Sequence, residues 1–215
     1  MPTSASDLLE DLILRYPVLA PCRGDIRKAC DALCRCHRDG GTILVCGNGG
    51  SAADAEHIVG ELMKGFLLKR RISAADAKQM RTYWGQDGES LASRLQQAIR
   101  AISLVSQSSL VSAVCNDTGA DMVYAQQVYG YGREGDAVLA VSTSGNAANV
   151  NLALKTARAL DMTTIGLTGR TGGTMKDLCH IAVCVPSEET FKIQEFHAAV
   201  YHALCAMVEH EVFWG

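Results

Sequence analysis

The 215-residue sequence predicts an α/β fold, a three-layer, doubly wound parallel sheet of about five strands. Two observations carry this. Short, continuously apolar runs recur along the chain, each ending in a turn of small or polar residues, and segments with helical spacing separate them. Strands apolar along their whole length have both faces covered, which is the mark of a parallel sheet between helical layers. With 48% hydrophobic and 20% charged residues, the chain carries enough apolar side chains for one core, and it reads as a single domain over 1–215.

In chain order, a helical segment at about 6–38 precedes the first strand run, TILVCGNGGS at 42–51. A helix over 52–66 follows, then a helical insertion within 67–104 that starts after the basic LLKRR. This insertion is broken by the turn-rich YWGQDGES. The next strand is expected at 112–119 (SAVCNDTG), a helix at 121–130, a strand at 137–146 (AVLAVSTSGN), and a helix at 147–160. Strands at 163–173 (TTIGLTGRTGG) and 180–186 (HIAVCVP) and a long helix at 188–212 complete the pattern. Ligands of open α/β sheets sit beyond the carboxyl ends of the strands, so the chemistry belongs in these turns.

Composition excludes several classes. A formal net charge of -3 gives no positive field for a nucleic-acid backbone, so no nucleic-acid partner is expected. No apolar stretch is long enough to span a bilayer, and the acidic, amphipathic N-terminus is unlike a signal peptide. Nine scattered cysteines without a CxxC pair fit a reducing, cytoplasmic location. Cys30, Cys34, Cys36 and His37 are close in sequence, but a helix turns Cys36 away from the first two, and packed, reduced thiols are the simpler reading.

Two turns have the chemistry of anion cradles. In the third strand run, Ser142, Thr143, Ser144 and Gly145 lead directly into a helix, so hydroxyls and free N–H groups converge where the helix dipole favours an anion. A bare helix cap needs fewer hydroxyls. The first turn, Gly47-Asn48-Gly49-Gly50-Ser51-Ala52, has the GxGxxA spacing of dinucleotide sites, yet LLKRRIS stands where an acidic strand end would be needed.

Two helices carry polar residues where bland ones would do. His57 and Glu61 are four apart and share a face, a spacing suited to a divalent metal or to acid/base work, or to a solvated pair. The last helix places Gln194, Glu195, His197 and His202 in an apolar run. Spacing aligns Glu195 with His202 best and does not choose ligands among the four.

Taken in order, GNGGSAADAEH, Asn116-Asp117, STSGN, LTGRTGG and KIQEFHAAVYH resemble the phosphoheptose isomerases of the SIS (sugar isomerase) family, from about residue 40 to the C-terminus. The resemblance implies an aldose-ketose isomerase acting on a phosphorylated sugar, interconverting sedoheptulose 7-phosphate and D-glycero-D-manno-heptose 7-phosphate. It also implies a homotetramer with sites shared between neighbouring subunits. It places metal ligands, usually for zinc, on His57, Glu61, Gln194 and His202, and the acid/base pair on Glu61 and His202. Substrate contacts fall on Asn48, Gly49, Gly50, Ser51, Glu61, Asn116, Asp117, Ser142, Thr143, Ser144 and Gln194.

Two departures bear on the sugar chosen: Ala147 stands where the family pattern has a further Ser, and Phe191 where it often has Asp. The competing expectations are an isomerase of another phosphosugar and a non-catalytic SIS protein. The latter would sense a phosphosugar or bind a protein partner, as initiator-associating relatives do.

Overall fold

The computed structural model describes residues 4–214. Two helices open the chain, α1 (Ala5–Arg15) and α2 (Arg23–Arg38), parted by a 3-10 turn, Pro17–Cys22, that contains Pro21. Then come β1 (Ile43–Gly47), α3 (Gly50–Met63), the helices α4 (Ala74–Trp84) and α5 (Gln86–Arg94), and β2 (Ala101–Ser103). The rest is α6 (Ser108–Asp117), α7 (Val123–Tyr131), β3 (Ala137–Ser142), α8 (Ala148–Ala159), β4 (Thr163–Thr168), α9 (Met175–Leu178), β5 (Ile181–Cys184) and α10 (Thr190–Phe213).

The five strands pair in parallel in the order β2-β1-β3-β4-β5, as expected for a doubly wound sheet. Alternation along the strands divides the core. Ile43, Val45, Leu139, Val141, Ile165 and Leu167 share one core with residues of α1, α2, α3 and α10, while Leu44, Cys46, Val138 and Ala140 share the other with residues of α7, α8 and α9.

One expectation is corrected. Residues 112–119 are not a strand: they lie in α6 and the turn after it, and the second strand is Ala101–Ser103, inside the segment expected to be helical. Leu110, Val111 and Val114 follow the three-and-four spacing of a helix, with Val114 buried in the core that residues of α7 and α8 also fill. β2 pairs over only three residues at the sheet edge, too short for a period to register.

The YWGQDGES break is real: Gly85, at φ 55°, separates α4 from α5. The two helices pack on each other, α4 has no buried residue, and Tyr83 and Trp84 are exposed. Cys30, Cys34 and Cys36 are buried on α2 and all nine cysteines are free, consistent with packed thiols. Among the described residues, no helix is long and apolar enough to cross a membrane.

Candidate active site

Two of the anion-type turns lie side by side at the carboxyl ends of the central strands β1 and β3. After β1 the chain must turn sharply into α3. Gly47 could not carry a side chain without striking the Ser51 backbone, and Gly49 sits at φ 56°, ψ -123°, a conformation open to glycine. Asn48 and Asn149 exchange amide hydrogen bonds of 2.8 and 2.9 Å, and the Tyr124 hydroxyl donates to Gly47 O, so the two turns are tied together.

The turn after β3 does not use its hydroxyls as a helix cap. The N-cap of α8 is Ala147, and no side chain caps that helix. Ser142 is buried, Thr143 is half-buried and Ser144 is exposed, its Oγ accepting from Asn146 N at 3.2 Å. Gly145 (φ 66°) lies so close to Gly172 that a side chain there would overlap its carbonyl. The result is a compact bend at an uncapped helix N-terminus, suited to an anion.

Gln194, from the second turn of α10, reaches the other turn: its amide occupies the space that a side chain on Gly50 would fill. Asn116 and Asp117 close α6, both exposed, with Asn116 Nδ2 donating to Asp117 Oδ1 at 2.8 Å. No hydrogen bond ties that pair to the two turns among the described residues.

Further along α3 and α10 the titratable side chains meet. His57 Nε2 is 3.2 Å from Glu61 Oε1 and 3.4 Å from His202 Nε2. Lys64 donates to Glu61 Oε2 at 2.8 Å. Burial pushes the Glu61 carboxyl up, but Lys64 and His57 outweigh it and hold the group below the usual carboxylate range. Burial, and then the neighbouring His57 ring, hold His202 below the ordinary histidine value. Glu195 is exposed, whereas His197 is fully buried.

Two imidazoles and a carboxylate are the right donor chemistry for zinc. In one chain they form a row centred on His57, and among the described residues no group of three His, Cys, Asp or Glu is set out as a cage for an ion. Gln194, eight residues before His202 on α10, does not join them.

Sequence reasoning missed four residues around this row. The Tyr201 hydroxyl lies 3.0 Å from His57 Nδ1, and Asp54 lies against the same hydroxyl. Asp54 is one turn before His57 on α3 and Tyr201 adjoins His202, so proximity in sequence was the available signal. Arg70 and Glu209 form an ion pair whose side chains are 0% and 1% exposed. The Glu209 carboxylate also accepts from the N–H groups of Phe66, Leu67 and Leu68. Arg70 in turn donates to the carbonyls of Leu62 and Glu61, which end α3. A lone Glu in the apolar LCAMVEH run was the only sign of it.

A parallel sheet with two linked anion-type turns and an acid/base cluster on the helices beyond them defines a class, and residues 18–82 and 73–169 match the SIS domain family. Two bacterial phosphoheptose isomerases show how closely. The one from Akkermansia muciniphila is 36% identical over 200 residues, covering 93% of this chain and 92% of its own length. The one from Campylobacter jejuni is 37% identical over 187 residues, with 87% of each covered. Among solved structures, the phosphoheptose isomerase of Neisseria gonorrhoeae superposes with a TM-score of 0.69 at 31% identity, covering 95% of this chain and 91% of that one. That of Francisella tularensis gives 0.75 at 28% identity, with 94% of each covered. The chain belongs to the phosphoheptose isomerase family of SIS-domain proteins.

Proposed function

We propose that this protein is the aldose-ketose isomerase that interconverts sedoheptulose 7-phosphate and D-glycero-D-manno-heptose 7-phosphate. The observation that carries the reading is the His57–Glu61–His202 row on α3 and α10, the two helices that meet at the Gly50 bend through Gln194. The phosphate is held at the uncapped start of α8 by Ser142, Thr143 and Ser144, with Asn48, Gly49, Gly50, Ser51 and Gln194 along the sugar. Asn116 and Asp117 are further sugar contacts that the family pattern supports.

Isomerisation moves one hydrogen from C2 to C1 and one proton from O2 to O1 through an enediol. Glu61, an ionised carboxylate, takes the proton from C2 and returns it to C1. His202, a neutral imidazole near physiological pH, gives a proton to O1 and accepts the one from O2, so that neither residue is changed overall. Lys64 keeps Glu61 charged and oriented between turnovers. His57, Glu61 and His202 are the residues of one chain that would hold zinc, Gln194 being added by the family pattern and standing apart from them in one chain; the metal, when bound, would supply Lewis-acid polarisation of the carbonyl.

The working form in this proposal is a cytoplasmic homotetramer with composite sites. From Gly50 to Glu61 is eleven residues of helix, roughly 16 Å along the axis. From C1 to phosphorus a heptose phosphate has about eight bonds, no longer than three extended residues, about 10 Å. A sugar anchored at one chain's turns therefore favours the Glu61 of a neighbour. The exposed Tyr83 and Trp84 on the α4–α5 arm support contact with another copy.

The test is conversion of sedoheptulose 7-phosphate to the aldoheptose phosphate, followed by NMR, with and without zinc, beside Glu61→Gln. Turnover in the parent and none in a folded variant is the expected result. Equal turnover in both removes Glu61 as the base. Ala147, which leaves α8 without a hydroxyl at its N-cap, favours as second reading an isomerase for a different phosphosugar. Conversion of another phosphosugar alone would establish it.

A further inference from the structure

The turn proposed to hold the phosphate, Ser142–Gly145, is shaped from behind by the segment that follows β4. An anion is held by N–H groups and hydroxyl protons, so the carbonyls of such a turn, each with partial negative charge, must be directed elsewhere. Three successive carbonyls here are each taken by a donor. Thr143 O accepts from Gly169 N at 3.0 Å, Ser144 O from Asn146 Nδ2 at 3.1 Å, and Gly145 O from Met175 N at 2.9 Å. The two segments fit closely: a side chain on Gly169 would meet Thr143 O at 2.8 Å, and one on Gly173 would strike Ser144 O.

Asn146 is the side chain that ties them together. Its Oδ1 accepts from Thr174 N at 2.9 Å and from Thr174 Oγ1 at 3.1 Å. A backbone N–H only donates, so this end of the amide is its oxygen and the NH2 faces Ser144 O. The Asn146 backbone N–H goes to Ser144 Oγ at 3.2 Å, and because the hydroxyl accepts there, its own proton is left for another acceptor. We infer that Asn146, held by Thr174, is a positioning residue for phosphate binding: it turns the Ser144 carbonyl away from the anion and leaves the Ser144 hydroxyl as a donor towards it. This role rests on the phosphate place proposed for the turn, whichever sugar carries the phosphate.

Inorganic phosphate, titrated calorimetrically into the full-length protein, reads the turn without turnover, and Ser144→Asp serves as the blank in which a fixed charge closes it. Asn146→Ala should weaken phosphate binding about tenfold, the effect of losing one or two net hydrogen bonds that order the turn. Asn146→Asp should weaken it further, because a carboxylate oxygen then faces Ser144 O. Thr174→Val keeps the N–H and loses the hydroxyl, for a loss of about threefold, whereas Thr174→Ser should keep the parent affinity. Asn146 and Thr174 are both exposed, so these variants should fold. With sedoheptulose 7-phosphate, KM should rise in the same order and kcat should change far less; a merely structural role would lower Tm and move both constants together. Phosphate affinity equal to the parent's in Asn146→Ala or in Thr174→Val overturns the inference, as does a parent that binds phosphate no better than Ser144→Asp. A parent and variants with the expected order of phosphate affinities, but no conversion of the heptose phosphate, defeat the functional reading and leave this one standing.

Discussion

Glu209→Gln is the substitution for which the structure predicts the largest loss of stability at the smallest change of shape. Oε1 of Glu209 accepts from Arg70 Nε at 2.6 Å and Phe66 N at 2.8 Å, and Oε2 accepts from Leu67 N at 2.7 Å and Leu68 N at 3.1 Å. An amide keeps one oxygen, so two of the four donors would face an NH2 group instead. The Arg70 guanidinium, wholly buried, would lose its counter-charge. Breaking a buried pair by removing one partner costs about 3–5 kcal/mol, a large share of the ~5–15 kcal/mol that holds a typical domain together. For a chain of this size that is a fall in Tm on the order of 10 °C. Arg70→Met should cost less, because three backbone N–H groups still hydrogen-bond the carboxylate, although the Leu62 and Glu61 carbonyls lose their cap. Urea and thermal unfolding at fixed protein concentration measure both. A loss under about 1 kcal/mol for Glu209→Gln would refute the view that this carboxylate staples the 66–70 segment, and with it the end of α3, to α10.

Two further outcomes follow from the site and its surroundings. Ser144→Ala removes a phosphate contact made equally in ground and transition states, so KM should rise about tenfold or more with kcat nearly unchanged; a fall in kcat alone would contradict its place at the phosphate. Burial holds the His197 imidazole down at about 4, against 6.5 ordinarily, so between those values the unfolded chain binds a proton that the folded one excludes. Its contribution is full above pH 6.5 and is lost as pH falls towards 4, by roughly 3 kcal/mol in all. Urea unfolding across that range should therefore fall more steeply for the parent than for His197→Leu, and parallel slopes would show that His197 is not held neutral by the fold.

How much of this could be read in the sequence depended on distance along the chain. The bends at Gly47–Ser51 and Ser142–Gly145 were legible because each is a strand end, a turn and a helix start in unbroken succession. The Ser-Thr-Ser turn could not by itself separate a cap from a cradle; the absence of any side-chain cap on α8 favours the cradle. Glu209 and Arg70 are 139 residues apart, so neither hinted at the other. α6 was misread because Val111 and Val114 suit a strand as well as a helix until the next element fixes which face is buried. In α10, spacing favoured Glu195 with His202, yet the fold exposes Glu195, buries His197 and turns Gln194 to Gly50. Which neighbours surround a helix is tertiary information, and periodicity does not hold it.

The distance between the two halves of the site leads to a test of assembly. Gln194 touches the Gly50 turn while His202, about 12 Å further along α10, meets His57 and Glu61. If each chain lends its acid/base row to a neighbour's phosphate turn, two inactive variants should repair one another. Glu61→Gln lacks the base, and Ser144→Asp sets a negative charge where the phosphate must sit. Refolded together, random mixing makes about a quarter of composite sites intact, combining the turn from one variant with the carboxylate from the other. Activity should rise from near zero in either variant alone to roughly that fraction of the parent. If turn and base come from the same chain, every site in the mixture carries one lesion, and activity stays at zero however the subunits assort.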